Sequence, residues 1–489
     1  MRAARFIFLA FPLLLLTACA VGPNYQRPRA DVPPQWTAPA TTGTQPGVEP
    51  SEDEWWKSFH DAELESLIER AAKANYDLKV SLARIEEARA ESGIAKSSFY
   101  PQVSAGVSAE RIRQIGVGLA PSSQNPGTVQ PRIFPYEINN YQGRFDASWE
   151  LDVFGRIRRQ TEAARADLRA SEEDHRGVLI SVFGEVGRYY ADLRGYQLRL
   201  AIANKNVSVA EDELKLTRDL AQAGQVTQID VAQAEAQLES VRAQIPQLNS
   251  AIELSIHRLS VLTGQQPGAL ESELKGQSAL PVLPPDVPVG LPSDLLARRP
   301  DIRSADAQLA AATARVGVAK ADYFPTFTLL GSAGRQAAQL HDLTLGLGNF
   351  FAAGPAISVP AFTGGKVRSN VAVQNARVSQ AQSVYQKTVL TSLEETENAL
   401  TNYAEEQSRR DHLKATVRAS QDALDLTNSQ YRAGLADFLT VLDSERTLFQ
   451  NQDLLAQSQT ALVENLVALY KALGGGWSSE AQTLTAKAR

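Results

Sequence analysis

The chain contains itself twice. Residues Tyr76 to Pro101, YDLKVSLARIEEARAESGIAKSSFYP, lie without a gap over Pro300 to Pro325, PDIRSADAQLAAATARVGVAKADYFP, at an offset of 224. Asp77, Ala83, Ala88, Ala90, Gly93, Ala95, Lys96 and Pro101 recur as Asp301, Ala307, Ala312, Ala314, Gly317, Ala319, Lys320 and Pro325. Further on, LTRDLAQAGQVTQIDVAQAEAQL from Leu216 matches LTNSQYRAGLADFLTVLDSERTL from Leu426 at an offset of 210, so the first half carries 14 more residues between its matched blocks. A repeat of this size is too long for a solenoid unit, and the chain is built from two similar halves.

Each half reads as helix, two strands, very long helix, turn, long helix. The first helix of each half ends where an aromatic pair meets proline, at Phe99-Tyr100-Pro101 and Tyr323-Phe324-Pro325, because proline cannot continue the hydrogen-bond ladder. Alternation then replaces helical spacing. In YQGRFDASWEL, Tyr141, Gly143, Phe145, Ala147, Trp149 and Leu151 share one face, and Gln142, Arg144, Asp146, Ser148 and Glu150 the other. Val103, Ala105, Val107 and Ala109 alternate likewise with polar residues, as a half-buried strand does. A second pair is expected near Pro325 to Ala333 and Phe351 to Phe362. Ile112 to Asn140, with Pro121, Pro126, Pro131 and Pro135, reads as a long exposed loop. Such strands could be soluble hairpins on a core. Aromatic residues at their ends and a length of about 11 residues instead suit the apolar band of an outer-membrane barrel, in which four strands alone cannot close.

Arg156 to Ala221 contains no proline, and one helix of that length would reach about 100 Å. Gly177, Gly184, Gly187 and Gly195 interrupt it, where the second half has Lys387, Glu394, Glu397 and Glu405; the sequence offers no reason for the difference. After the Gly224 turn, Val231, Ala234, Leu238, Val241, Ile245, Leu248, Ile252, Ser255, Leu259 and Leu262 step by three and four. In the second half Val441, Leu448, Leu455, Leu462 and Leu469 recur every seven residues. These are coiled-coil seams, with a kink expected at Pro246. A soluble coiled coil would share the seams, but it accounts for neither the strands nor the amino terminus.

There, Arg2 and Arg5 precede an apolar run from Phe6 to Leu16 and then small residues, the order of an export signal. The run holds 11 residues, against about 20 for a spanning helix. The chain's single cysteine, Cys19, follows at once. It cannot form an internal disulfide, and Leu16-Thr17-Ala18-Cys19 resembles a bacterial lipobox. That resemblance implies cleavage before Cys19, S-diacylglycerol and N-acyl modification of it, and firm anchoring by more than one chain. An ordinary signal peptide with an incidental cysteine is the alternative. Ala20, rather than aspartate, favours the outer membrane.

The chain holds 49 basic and 55 acidic side chains, and loss of Arg2 and Arg5 takes the net charge from -6 to -8. This argues against a nucleic-acid partner. No later apolar run reaches 18 residues, so any membrane crossing must use strands. His60, His175, His257, His341 and His412 are scattered, without zinc-ligand spacing, and no nucleophile elbow or phosphate loop is present. No catalytic or metal site and no cofactor beyond the lipid is expected. Gly364-Gly365-Lys366 reads as a strand-to-helix turn. A periplasmic hydrolase is the enzymatic alternative.

CAVGPNYQRP at Cys19, WWKSFHDAELESLIERAAKANYDL at Trp55, GLPSDLLARRPDIRSAD at Gly290 and YKALGGGW at Tyr470 resemble signature blocks of the outer-membrane factor family. The resemblance is to the RND efflux outer-membrane lipoproteins of OprM/NodT type, relatives of TolC. Ala62 departs from the family's usual proline. The resemblance implies a mainly α, TolC-like fold with transmembrane β: four strands from each of three protomers form a 12-stranded barrel continuous with a periplasmic α-helical barrel. It implies a signal peptide at 1–18, an extended segment at 19–60, repeats at 61–275 and 276–477, and a tail at 478–489. It implies a passive exit duct in the outer membrane of a Gram-negative bacterium, extending into the periplasm. The duct's partners would be outer-membrane lipid, a periplasmic adaptor (membrane fusion) protein and an inner-membrane RND transporter, and it would expel drugs or other small toxic compounds. A type I protein-secretion duct is the alternative. Matched to the family, Leu439 and Asp443 fall at a periplasmic gate, with Asp230 as companion from the first half. The turns Ala223-Gly224-Gln225 and Ala433-Gly434-Leu435 fall where the adaptor docks.

Overall fold

A computed structural model of the chain describes residues 20–38, 43–47, 54–121, 123, 127–345 and 348–477. The signal segment, Cys19 and the tail at 478–489 lie outside the described residues. In chain order the elements are β1 (Thr44–Pro46), a 3-10 turn (Trp55–Phe59), α1 (Ala62–Ala74), α2 (Tyr76–Ser97), β2 (Gln102–Pro121), β3 (Val129–Leu151), α3 (Arg156–Gln222), α4 (Gln228–Arg242), α5 (Gln244–Leu262), β4 (Val287–Gly290), α6 (Pro300–Ala321), β5 (Thr326–Ala337), β6 (Asn349–Ser358), α7 (Lys366–Arg432) and α8 (Phe438–Ala472), with four one-turn helical segments between them. The duplication holds element by element. α2 and α6 are both 22 residues long, and α3 and α7 are both 67. Gly155, Gly364 and Gly365 take positive φ where strand gives way to long helix, which glycine does without a β-carbon penalty.

Two compact units form, and neither is a repeat: among the described residues one draws on 20–27, 87–168 and 307–382, the other on 28–86, 169–306 and 383–477. The halves expected at 61–275 and 276–477 are units of sequence, and each compact unit takes parts of both.

The first unit holds an antiparallel sheet in the order β2-β3-β5-β6, with β2 and β6 as edges that have no further partner strand among the described residues. The register joins Val103 to Ala147, Phe145 to Ala333 and Ala333 to Phe351. Val103, Val107, Phe145, Leu329, Phe351 and Ile357 therefore share one face, and all are exposed. The loop expected at Ile112 to Asn140 is instead mostly hairpin. β2 and β3 are 20 and 23 residues long and pair continuously from Gln102↔Ser148 to Pro121↔Val129. Pro131 and Pro135 lie before Tyr141, where β3 has β2 on one side and no described strand on the other. Four residues apart, they point the same way, so the missing N–H can face the unpaired side. Gly116 and Gly118 are covered by the rings of Tyr136 and Phe134, 2.8 and 2.5 Å from where a β-carbon would sit. β6 stops at Ser358 rather than Phe362, just ahead of Pro360, and β5 continues past Ala333 to Ala337.

Also in this unit, the amino-terminal segment is seated at the β3–α3 junction. Val21 N–H donates to the Phe154 carbonyl at 3.0 Å, and buried Arg159 donates to Asn24 Oδ1 at 2.6 Å and to the carbonyls of Val21 and Gly22. Gly22 lies against Gly317, where a β-carbon would meet backbone at 2.5 Å.

The second unit is built on a core in which Trp55, Phe59, Leu67, Tyr190, Leu259, Leu466 and Tyr470 are all buried. Trp55 stacks on Tyr470 with centroids 5.6 Å apart, and Arg299 donates to the Ala472 carbonyl at 3.0 Å. Asp61 caps α1 by accepting from the N–H of Glu63 and Leu64, so Ala62 occupies the first helical position, where proline is equally compatible. The seam residues Ala234, Leu238, Val241, Leu248, Ile252, Leu259 and Leu262 are buried as their spacing requires. Pro246 does more than kink the helix: α4 ends at Arg242 and α5 begins at Gln244, because proline has no N–H for the Arg242 carbonyl.

Three of the four glycines of α3 have a reason in this unit, Gly177 being the exception. A β-carbon would meet Lys471 at 3.3 Å from Gly184, Trp55 at 2.8 Å from Gly187 and Thr460 at 2.2 Å from Gly195. α3 and α8 run antiparallel in close contact there. In α7 the counterparts Lys387, Glu394 and Glu405 are exposed. Glu397 instead accepts from the backbone N–H of Thr37 and Ala38 at 2.7 and 2.8 Å.

Candidate functional site

The second unit carries the two helix reversals. α3 ends with Gly224 at φ 74°, and Gln225 N–H reaches back to the Leu220 carbonyl at 2.9 Å. α7 ends identically, with Gly434 at φ 73° and Leu435 N–H on the Gln430 carbonyl at 2.9 Å. Both are Schellman-type ends, which need a left-handed residue. The helices that follow start with mirror-image caps. At α4, Thr227 accepts from Asp230 N–H while Asp230 Oδ2 accepts from Thr227 N–H at 2.7 Å. At α8, Asp437 Oδ1 accepts from Thr440 N–H at 2.9 Å; its carboxyl is held below the ordinary range by the Thr440 hydroxyl and N–H.

Ala210, Leu214, Ala234, Leu238, Phe438 and Leu442 pack beneath these turns, and Leu424, Val441 and Leu448 form a second cluster. Ala223, Gly224, Gln225, Ala433, Gly434 and Leu435 are all exposed. Leu435 is 80% and Leu439 54% exposed. Asp443 lies one turn beyond Leu439 on α8, and its carboxylate is solvent-facing. Leu439 and Asp443 are thus brought together on an open helix face. Asp230 is not their equivalent: it is half-buried, its carboxylate serves the α4 cap, and its repeat counterpart is Thr440. A ring of apolar side chains can narrow and dewet a passage, and a ring of carboxylates selects by charge.

Glu445, which spacing turns away from Asp443, is 2% exposed. Burial and Glu213 push its carboxyl up to about 7. The signal for it is legible: Phe438, Val441, Leu442, Glu445 and Leu448 step by three and four along the buried stripe.

The family described as outer membrane efflux protein matches residues 67–265 and 291–475. The chain is 33% identical over 481 residues to the pyoverdine export outer membrane protein OpmQ of Pseudomonas aeruginosa, covering 97% of each chain. It is 30% identical over 482 residues to nodulation protein T of Rhizobium leguminosarum bv. trifolii, covering 99% of each. Among solved structures it resembles the outer-membrane channel OprN, with 37% identity, a TM-score of 0.84, and 94% of this chain and 100% of that one covered.

Proposed function

Because the chain belongs to the outer membrane efflux protein family, we propose that it is the outer-membrane exit duct of a tripartite RND-type efflux system. The fold is TolC-like, and the protein is an efflux component of the outer membrane. The observation that carries the duct reading is the open four-stranded sheet. Its apolar face is exposed and, among the described residues, both its edges are unpaired, an arrangement that requires neighbours in lipid, where every backbone group must be paired. Three copies would supply twelve strands, enough to close a barrel. Their long helices would continue as a periplasmic tube.

In this reading conduction is passive, the protein is no enzyme, and the exported compounds are drugs or other small toxic compounds, in keeping with the antibiotic efflux named for the relative ArpC of Pseudomonas putida. The exposed turns at Gly224 and Gly434 meet the periplasmic adaptor, through which the inner-membrane transporter is joined. Leu439 and Asp443, repeated by threefold symmetry, form the gate. The lipid on Cys19 would begin one residue before Ala20 in the sequence.

The test is a strain lacking the gene, scored for accumulation of a fluorescent efflux dye and for drug sensitivity. Both should rise, and return with the intact gene. Periplasmic crosslinking from residues 223–225 and 433–435 should capture an adaptor of an RND system. Capture of a protein-secretion adaptor, with unchanged dye accumulation, would transfer the duct to type I secretion.

A further inference from the structure

Three helical faces of the second unit border a cavity of about 670 Å³, a volume within the range of small-molecule sites. α3 contributes Tyr196, Arg199, Ala203 and Asn206, spaced by three and four, and α8 contributes Arg446, Phe449, Gln450 and Asp453 in similar steps. The third face is Gln237 of α4 with Gln244 and Gln247 of α5. The cavity therefore lies at Ala243, where α4 gives way to α5 and the seam helix is interrupted.

Small-molecule sites are usually lined by apolar groups, whereas amides dominate here. Two of them are buried in the wall with bonding capacity left over. Asn206 is 6% exposed, and its side-chain amide has no hydrogen-bond partner among the described residues. Gln237 is equally buried. Its Oε1 accepts from Arg446 Nε at 2.8 Å, and its two N–H donors have no partner among the described residues. A buried amide left unpaired is costly, so the partners of these groups are expected inside the cavity.

The charges are largely spent. Arg199 donates through Nε and Nη2 to the two oxygens of Asp453 at 2.6 and 3.1 Å, and Gln457 Nε2 donates to Asp453 Oδ2 at 2.6 Å. Arg446 is the one charged lining residue outside that pair, and it is exposed. What remains are amides, which both donate and accept, and the half-buried rings of Tyr196 and Phe449. An ion would use neither set. Water would pair with the amides but gain nothing from the rings. Hydroxyls in both hydrogen-bonding roles, together with a flat C–H face for an aromatic ring, are the chemistry of a sugar.

We propose that this cavity binds a neutral sugar of one or two rings. Asn206 and Gln237 hydrogen-bond its hydroxyls, Tyr196 and Phe449 pack against its ring faces, and the exposed Gln244, Gln247 and Gln450 close over it from the rim.

The site goes beyond the duct reading and does not depend on it, because the test reads binding itself. Purified full-length protein in a detergent without a sugar headgroup is titrated with maltose and with N,N′-diacetylchitobiose, and binding is followed by saturation-transfer NMR of the sugar. The two neutral disaccharides separate a plain sugar from an acetylated one, and at least one should bind saturably. Asn206→Leu keeps the size of the side chain and removes its hydrogen bonds, and it should weaken binding about tenfold, as loss of one good hydrogen bond does. Phe449→Ala, which leaves every amide in place, should weaken it too. Asn204→Leu, on the same helix but exposed and outside the cavity, should bind like the wild type. Absence of saturable binding of both sugars, which leaves water as the filler, overturns the proposal. So does binding that is unchanged in both Asn206→Leu and Phe449→Ala.

Discussion

A β-carbon on Gly195 would lie 2.2 Å from Thr460 Oγ1 and 2.9 Å from Thr460 Cβ. The clash involves the root of a side chain as well as its tip, so rotation of Thr460 cannot relieve it. α3 and α8 meet there at a separation that a side chain on Gly195 would not allow.

Gly195→Ala should therefore destabilise the protein by about 1–3 kcal/mol through overpacking, although alanine favours a helix over glycine by about 1 kcal/mol. Gly177 lies in the same helix with nothing within 4 Å of its β-carbon position. Gly177→Ala should stabilise by up to about 1 kcal/mol. Thermal melts of the two variants in detergent should move in opposite directions. A common direction would mean that helix propensity, not contact with α8, governs these sites.

The open edges of β2 and β6 make the oligomeric state a direct consequence of the sheet. Light scattering of detergent-solubilised protein, corrected for bound detergent, should give a protein mass near three chains. A stable monomer with intact strand content would contradict the closed-barrel reading.

Leu439→Ala combined with Asp443→Ala should raise single-channel conductance in planar bilayers, because both side chains stand on the open face of α8. Asp443→Ala alone should weaken cation preference. Asp230→Ala should leave both nearly unchanged and instead destabilise the start of α4 by about 1 kcal/mol, because the Thr227 N–H loses its acceptor in the capping box. A double variant that assembles normally and conducts like the wild type removes Leu439 and Asp443 from the gate.

Cys19→Ser should abolish incorporation of labelled fatty acid and impair processing. Arg159→Ala should leave the label in place and release its hold on Val21, Gly22 and Asn24, so that proteolysis within 20–27 becomes at least roughly tenfold faster. Lipid label persisting in the serine variant would show that the acyl chains are carried elsewhere.

Much of the fold is local and was legible before any contact was known. The duplication predicted paired helices, and α3 and α7 are equal in length because the same uninterrupted pattern lies between the same kinds of boundary: glycine before, and a glycine-closed reversal after. Seam positions such as Leu238, Val441 and Leu469 followed from spacing, since a helix buries whatever recurs on one face. The turns at Gly224, Gly364 and Gly434 followed from the conformations open to glycine.

Other features were decided by what lies across from them. The hairpin from Ile112 to Asn140 carries prolines and glycines that locally signal loop; it becomes strand because β2 supplies the pairing, the unpaired side of β3 tolerates Pro131 and Pro135, and Phe134 and Tyr136 cover Gly118 and Gly116. Asp230 and Asp443 look alike in sequence, yet one is spent on a cap and the other is open to solvent. Gly195 of α3 made no sense within its own helix, since its reason is the side chain of Thr460, 265 residues later. Glu445 likewise is an ordinary acidic residue by type, and its carboxyl is pushed up to about 7 by burial among its neighbours and by the charge of Glu213 on α3. Sequence by itself determined what each segment could form; tertiary packing decided which groups lost water and which charges faced each other, since both depend on residues far apart along the chain.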